Sequence, residues 1–172
     1  KLSGFPLFNF PKETIYSLKN AGFDALSTAN NHALDTGLDG IAETISHINE
    51  SGMKNFGTLA EDGDKGIIVE KNGIKIGLIS FTDTLNGMDS LMRGKKYSVN
   101  TFAQDVKSDI QNLKDNSDIV IVYPHWGNEY QLVPNDRQIY LKTILQEAGA
   151  DIILGSHPHV LQKYEVEDKN NK

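Results

Sequence analysis

Five histidines occur in this chain of 172 residues, and four of them stand where their side chains could share one task. His32 closes Asn30-Asn31-His32, His125 lies in Pro124-His125-Trp126-Gly127, and His157 and His159 flank a proline in His157-Pro158-His159. Neutral imidazole is the commonest ligand for borderline divalent metals, and an Asn side-chain carbonyl adds a harder oxygen donor. The chemistry that fits these residue types is metal binding. Proline after His157 excludes helical geometry there and favours an extended backbone, so a stiff loop presents two imidazoles at fixed separation. Taken singly, each motif has a bland reading: a turn with solvated rings, a packed core histidine, or an Asn-Asn turn. Their joint placement carries the metal reading. His47 stands apart, off the Ile41/Ile45/Ile48 face of its helix, and reads as solvated.

Three segments, 21–32, 116–127 and 148–159, repeat one pattern: a turn after a helix, an Asp, a short apolar strand, then a polar loop with histidine. Strands reached through helical crossovers run parallel, so their carboxyl ends share one edge of the sheet, where open α/β sheets bind ligands. Around them, helices are expected over 11–20, 38–50, 102–114 and 136–148, and strands over 23–27, 118–123 and 151–154. Asn135 serves as an N-cap and Gly149 as a stop. Asn72-Gly73 between the apolar runs 66–70 and 74–81 signals a hairpin. The class is α/β. No composition shift divides 1–172, which reads as a single domain. Residues 84–100 read as a long loop carrying Arg93, Lys95 and Lys96, either a solubilising cluster or a polyanion-binding arm that folds over a neighbouring cleft. The charged end, 165–172, reads as frayed.

Asp35 and Glu129 are candidates for bracing the histidines. Asp35 either orients His32 or places a negative charge at a helix N-terminus. Glu129 either braces His125, since metal histidines commonly donate their second N–H to a carboxylate, or is a solvated loop residue. Composition narrows the partners. Seventeen Lys and Arg against 23 Asp and Glu give a net charge of -6 and a pI near 5.3, which disfavours general nucleic-acid binding. The absence of cysteine removes disulfides, thiolate zinc sites and thiol nucleophiles. No apolar run reaches the roughly 20 residues of a membrane span.

The stretches Asn30-Asn31-His32-Ala33-Leu34-Asp35, His125-Trp126-Gly127-Asn128-Glu129 and Gly155-Ser156-His157-Pro158-His159-Val160 resemble the poly-γ-glutamate capsule biosynthesis family called CapA. That family is similar to the calcineurin-like metallophosphoesterases. Ser3-Gly4-Phe5-Pro6-Leu7-Phe8-Asn9, Ala21-Gly22-Phe23-Asp24, Gly73-Ile74-Lys75-Ile76-Gly77-Leu78 and Ala148-Gly149-Ala150-Asp151 extend the likeness over nearly the whole chain. The resemblance implies a calcineurin-like layered α/β sandwich. It implies Asn31 and His125 as metal ligands, His157 and His159 as one ligand for each of two metals, and His32 as the group that contacts phosphate or protonates a leaving oxygen. The metals implied are divalent: Mn, Zn or Fe.

The family's Gly-Asp and Asn-Leu-Glu motifs, which supply acidic ligands, have no counterpart here, and its closing strands do not follow His159. The chain is therefore expected to be a fragment lacking the first and last strands of the fold, with an incomplete two-metal site. Three functions follow from the resemblance. One is poly-γ-glutamate capsule synthesis or export at the extracytoplasmic face of a bacterial membrane, anchored by a segment outside this chain and alongside other capsule-synthesis membrane proteins. A second is metal-dependent hydrolysis of an unidentified phosphate ester, and a third is non-catalytic binding of an anionic polymer. Whether the chain is an enzyme stays open at this stage.

Overall fold

A computed structural model describes residues 1–60, 63–93 and 98–167. The chain runs α1 (Glu13–Asn20), β1 (Ala25–Ser27), α2 (Gly37–Glu50), β2 (Lys54–Phe56), β3 (Thr58–Leu59), β4 (Ile67–Lys71), β5 (Ile74–Thr82), a 3-10 turn (Asp89–Met92), β6 (Ser98–Val99), α3 (Val106–Asn116), β7 (Ile119–His125), α4 (Asp136–Ala148) and β8 (Ile152–Ile153). This is the mixed α/β architecture expected of the alternating pattern.

The largest sheet has the order β4-β5-β7-β8. Its β4–β5 hairpin turns at Asn72 and Gly73, both at positive φ, with Lys71 opposite Ile74. β5, β7 and β8 are parallel, with Thr82 beside His125 and Val122 beside Ile153. Burial along β7 alternates strictly, placing Val120 and Val122 in a core with Ile79, Phe81, Ile110, Leu141 and Leu145. Two helices cover that face, and both have side-chain caps. Asp105 accepts from the Ser108 N–H, and Asn135 and Gln138 form a reciprocal capping box.

The strand that leads to Asn31 and His32 does not join this sheet as the shared pattern suggested. β1 pairs in parallel with β2 as a separate two-stranded unit. Isolated hydrogen bonds rather than a ladder join that unit to β5: the Ser80 hydroxyl donates to the Phe56 carbonyl (3.3 Å), and the side chain of buried Asn100 donates to the Ser80 carbonyl (3.1 Å). The Asn100 N–H in turn donates to the Gly57 carbonyl (2.8 Å). Gly57 sits at φ 103°, and a Cβ there would strike the Ser80 side chain and the Ala29 backbone nitrogen, so only glycine allows the approach.

The stretch 84–100 is more structured than an open loop. Leu85 and Val99 are buried in a second core with Ala29, Leu34 and Ile41, and Met88 and Met92 pack on it. β6 pairs antiparallel with β3. The apolar residues here follow neither helical nor strand spacing, which hid their role. Arg93 is exposed, whereas Lys95 and Lys96 lie outside the described residues. Near the far end, Glu165 and Glu167 both pair with Lys142 of α4 (2.7 and 3.0 Å), so this part of the expected frayed end is held against the helix.

Candidate metal centre

His125 is the last residue of β7, and parallel pairing fixes what lies beside it. An isolated bridge joins His125 to Ser156, and the Trp126 N–H donates to the Ser156 carbonyl (3.1 Å). The chain leaving β8 is thereby laid along the end of β7 and turns at His157-Pro158-His159. Gly155 makes this possible, because a Cβ there would sit 2.6 Å from the indole nitrogen of Trp126. The backbone of His157 is not extended as its following proline suggested. His157 has φ 95° and His159 φ 58°. Non-glycine residues in such conformations cost on the order of 1–3 kcal/mol each and cluster at functional sites.

Asn31 and His32 arrive from the turns after β1. The Asn30 side chain accepts from the His32 N–H (2.8 Å), which fixes the first turn. Across 94 residues of sequence, Asn31 Oδ1 lies 2.9 Å from His125 Nε2. Asn86, at φ 52°, accepts from the Asn31 NH2 (3.3 Å) and so directs the carbonyl oxygen of Asn31 toward His125. The rings of His125 and His157 are 4.7 Å apart, and those of His157 and His159 6.1 Å. Asn31, His125, His157 and His159 therefore occupy one small region at the carboxyl ends of β7 and β8. Asn31, His125 and His159, with His32, Glu129 and Tyr130, line a cleft of about 530 Å³.

Glu129 stands with the paired histidines. Its carboxylate is 3.7 Å from His159 Nε2, and the ligand atoms of Glu129, His157 and His159 all lie within 4.8 Å of one another. The hydrogen bonds of His125 go to Asn31 and, through Nδ1, to Ser156 Oγ (3.1 Å). Asp35 is almost wholly buried, and its Oδ2 lies 2.8 Å from His32 Nδ1 while accepting from the Phe8 N–H at 2.7 Å. The ring of Phe8 stands edge-on to His32, 4.7 Å between centroids. Tyr130 stacks on His159 at 5.7 Å. Asn86, Ser156, Phe8 and Tyr130 were absent from the expected site. Ser156 was within reach, since it directly precedes His157, but the other three come from turns whose approach no spacing encodes.

Burial, followed by the neighbouring histidines, lowers the pKa of His125 to about 4, and burial also lowers that of His157. Both rings are neutral at neutral pH, the form that ligates metal. Among the described residues, His157 Nδ1 is buried without a hydrogen-bond partner, which leaves that ring nitrogen free to serve as a ligand atom. Asn31 Oδ1 only accepts, so His125 Nε2–H donates to it and Nδ1 accepts from the Ser156 hydroxyl, which can turn to accept from Nδ1–H when Nε2 is deprotonated. The donor set of imidazoles, an amide oxygen and the Glu129 carboxylate suits a borderline divalent ion.

The whole chain, residues 1–172, matches the family described as bacterial capsule synthesis protein PGA_cap. It is 38% identical over 161 residues to the PGA biosynthesis protein CapA of Bacillus subtilis, and 35% identical over 161 residues to the capsule biosynthesis protein CapA of Bacillus anthracis. Both alignments cover 90% of this chain but 42% and 39% of the relatives, so the chain spans about two-fifths of their length. With a match along its entire length, the chain belongs to the PGA_cap family of bacterial capsule synthesis proteins.

Proposed function

We propose that this chain supplies a divalent-metal site to a protein of poly-γ-glutamate capsule synthesis or export, working at the extracytoplasmic face of a bacterial membrane with other capsule-synthesis membrane proteins. The polymer and the capsule role rest on the family and on the relatives' names. The location rests on the family resemblance alone; among the described residues no helix is long and apolar enough to cross a membrane. The observation that carries the metal reading is the convergence of Asn31 and His125 with His157, His159 and Glu129. Mn, Zn and Fe are the candidate ions. A bound ion would supply Lewis acidity toward a phosphoryl or carbonyl oxygen and acidify a bound water.

The His32–Asp35 pair favours a hydrolytic role over simple binding. Asp35, itself fixed by the Phe8 N–H, accepts from His32 Nδ1–H and holds the ring in one orientation. His32 Nε2 is then the atom that exchanges a proton with a leaving oxygen at the cleft. The test is metal content and turnover of an aryl phosphate by the full-length protein. Stoichiometric metal, lost in His125→Ala and His157→Ala, is the expected result, with activity abolished by chelation. His32→Ala should retain the metal while turnover falls by about 10²–10⁴-fold. Absence of bound metal in the wild-type protein overturns the proposal; metal without turnover leaves a binding module.

A further inference from the structure

The cleft at the histidines does not end there. A second cleft of about 660 Å³ shares Phe8, Ser27, Asn30 and His32 with the first, so the two meet with His32 at the junction. The second runs between the amino-terminal arm, at Phe10, Lys12 and Ile15, and the face of α2 that carries Glu43, Thr44 and His47. A blind pocket would suit a small phosphate ester. A groove that continues past the proton-transfer residue suits a ligand that extends on both sides of it.

The lining says what kind of ligand. Thr14, Thr36 and Thr44 line this groove, and their hydroxyls have no hydrogen-bond partner among the described residues. Hydroxyls both donate and accept, which matches a chain that repeats one N–H and one C=O per unit. Phe8 and Phe10 are stacked, 6.1 Å between centroids and 6° between planes, and add a flat apolar wall. Lys12 offers a cation to a pendant carboxylate, while Glu43 sets a negative charge on the facing wall.

We infer that the groove between the arm and α2 is a binding subsite for an extended polyamide bearing carboxylates, which threads past His32 toward the histidine cluster. This deepens the capsule-polymer reading and rests on it.

Calorimetric titration of full-length, metal-loaded protein with γ-linked diglutamate and with a long γ-linked oligomer tests the subsite. The oligomer should bind at least about tenfold more tightly. Thr44→Trp, an exposed helix position, fills the groove and should bring the oligomer down to the dipeptide's affinity, with metal content and dipeptide binding unchanged. Lys12→Glu, on the opposite wall, should act in the same direction and serves if Thr44→Trp folds poorly. A gain with length that survives both substitutions arises from multiple registers and overturns the subsite. So does equal affinity for both ligands. If neither ligand binds a protein that holds its metal, the capsule-polymer reading falls as well.

Discussion

His125 couples the chemistry of the centre to its stability. Its ring is held near a pKa of about 4 by burial first and by the charges of His157, His159 and His32 second. In the unfolded chain the same imidazole titrates near its ordinary value. Between these two values the unfolded chain takes up a proton that the folded protein refuses, so acid favours unfolding. The contribution is fully present above the ordinary histidine value and is lost as the pH falls toward 4. His157 is shifted in the same direction by the same leading cause. The thermal midpoint of chelator-treated protein should therefore fall between pH 7 and pH 4, and His125→Gln should flatten that slope. Parallel profiles for wild type and variant would show that the ring carries no such linkage. The acidic partners at the centre do not share one role: Asp35 is fixed by His32 and the Phe8 N–H, while Glu129 is more open to solvent beside His159.

One scale up, the centre depends on how the β1–β2 pair is docked against β5, since Asn31 follows β1 and His125 ends β7. Gly57 is the tight point of that docking, with no room for a methyl group between Ser80 and Ala29. Gly52 provides the comparison: it also has a positive φ, 80°, but a Cβ there meets open space. Gly52→Ala should cost about 1–2 kcal/mol, the conformational penalty alone. Gly57→Ala adds overpacking and should cost about 2–5 kcal/mol in denaturant unfolding. It should also weaken metal binding, because the two halves of the ligand set move apart. Equal losses for the two variants would mean that the docking is looser than its geometry indicates.

For the molecule as a whole, the balance of charge opposes its proposed ligand. A net charge of -6 repels a polyanion, and local positive potential must offset it. Arg93, Lys95 and Lys96 form a compact basic group in the sequence, with Arg93 exposed. Replacing all three by Gln should weaken polyglutamate binding strongly at low salt and little at high salt, where screening already removes the attraction. Unchanged binding at low ionic strength would assign the cluster to solubility alone.

Much of this molecule was readable before any coordinates, for reasons that are local. The 136–148 helix was expected within its observed limits because Asn135 and Gly149 act on their immediate neighbours. The hairpin was plain because Asn72 and Gly73 tolerate positive φ wherever they occur. The histidines of β7 and β8 were placed together because parallel crossovers align carboxyl ends by a rule of chain handedness. Tertiary structure alone decided what depends on distant groups meeting. The docking of β1–β2 rests on Ser80, Asn100 and the bare Cα of Gly57, contacts that no periodicity encodes. The burial of Leu85 and Val99 within 84–100 follows from packing against α2, not from spacing. Asn86 finds Asn31 across 55 residues, and Glu129 stands with His157 and His159, because loop conformation is set by what the loops land on. Residue types and local rules named the candidate residues. Their company was settled by packing between elements, a sum of contacts over the folded chain that no single stretch of sequence contains.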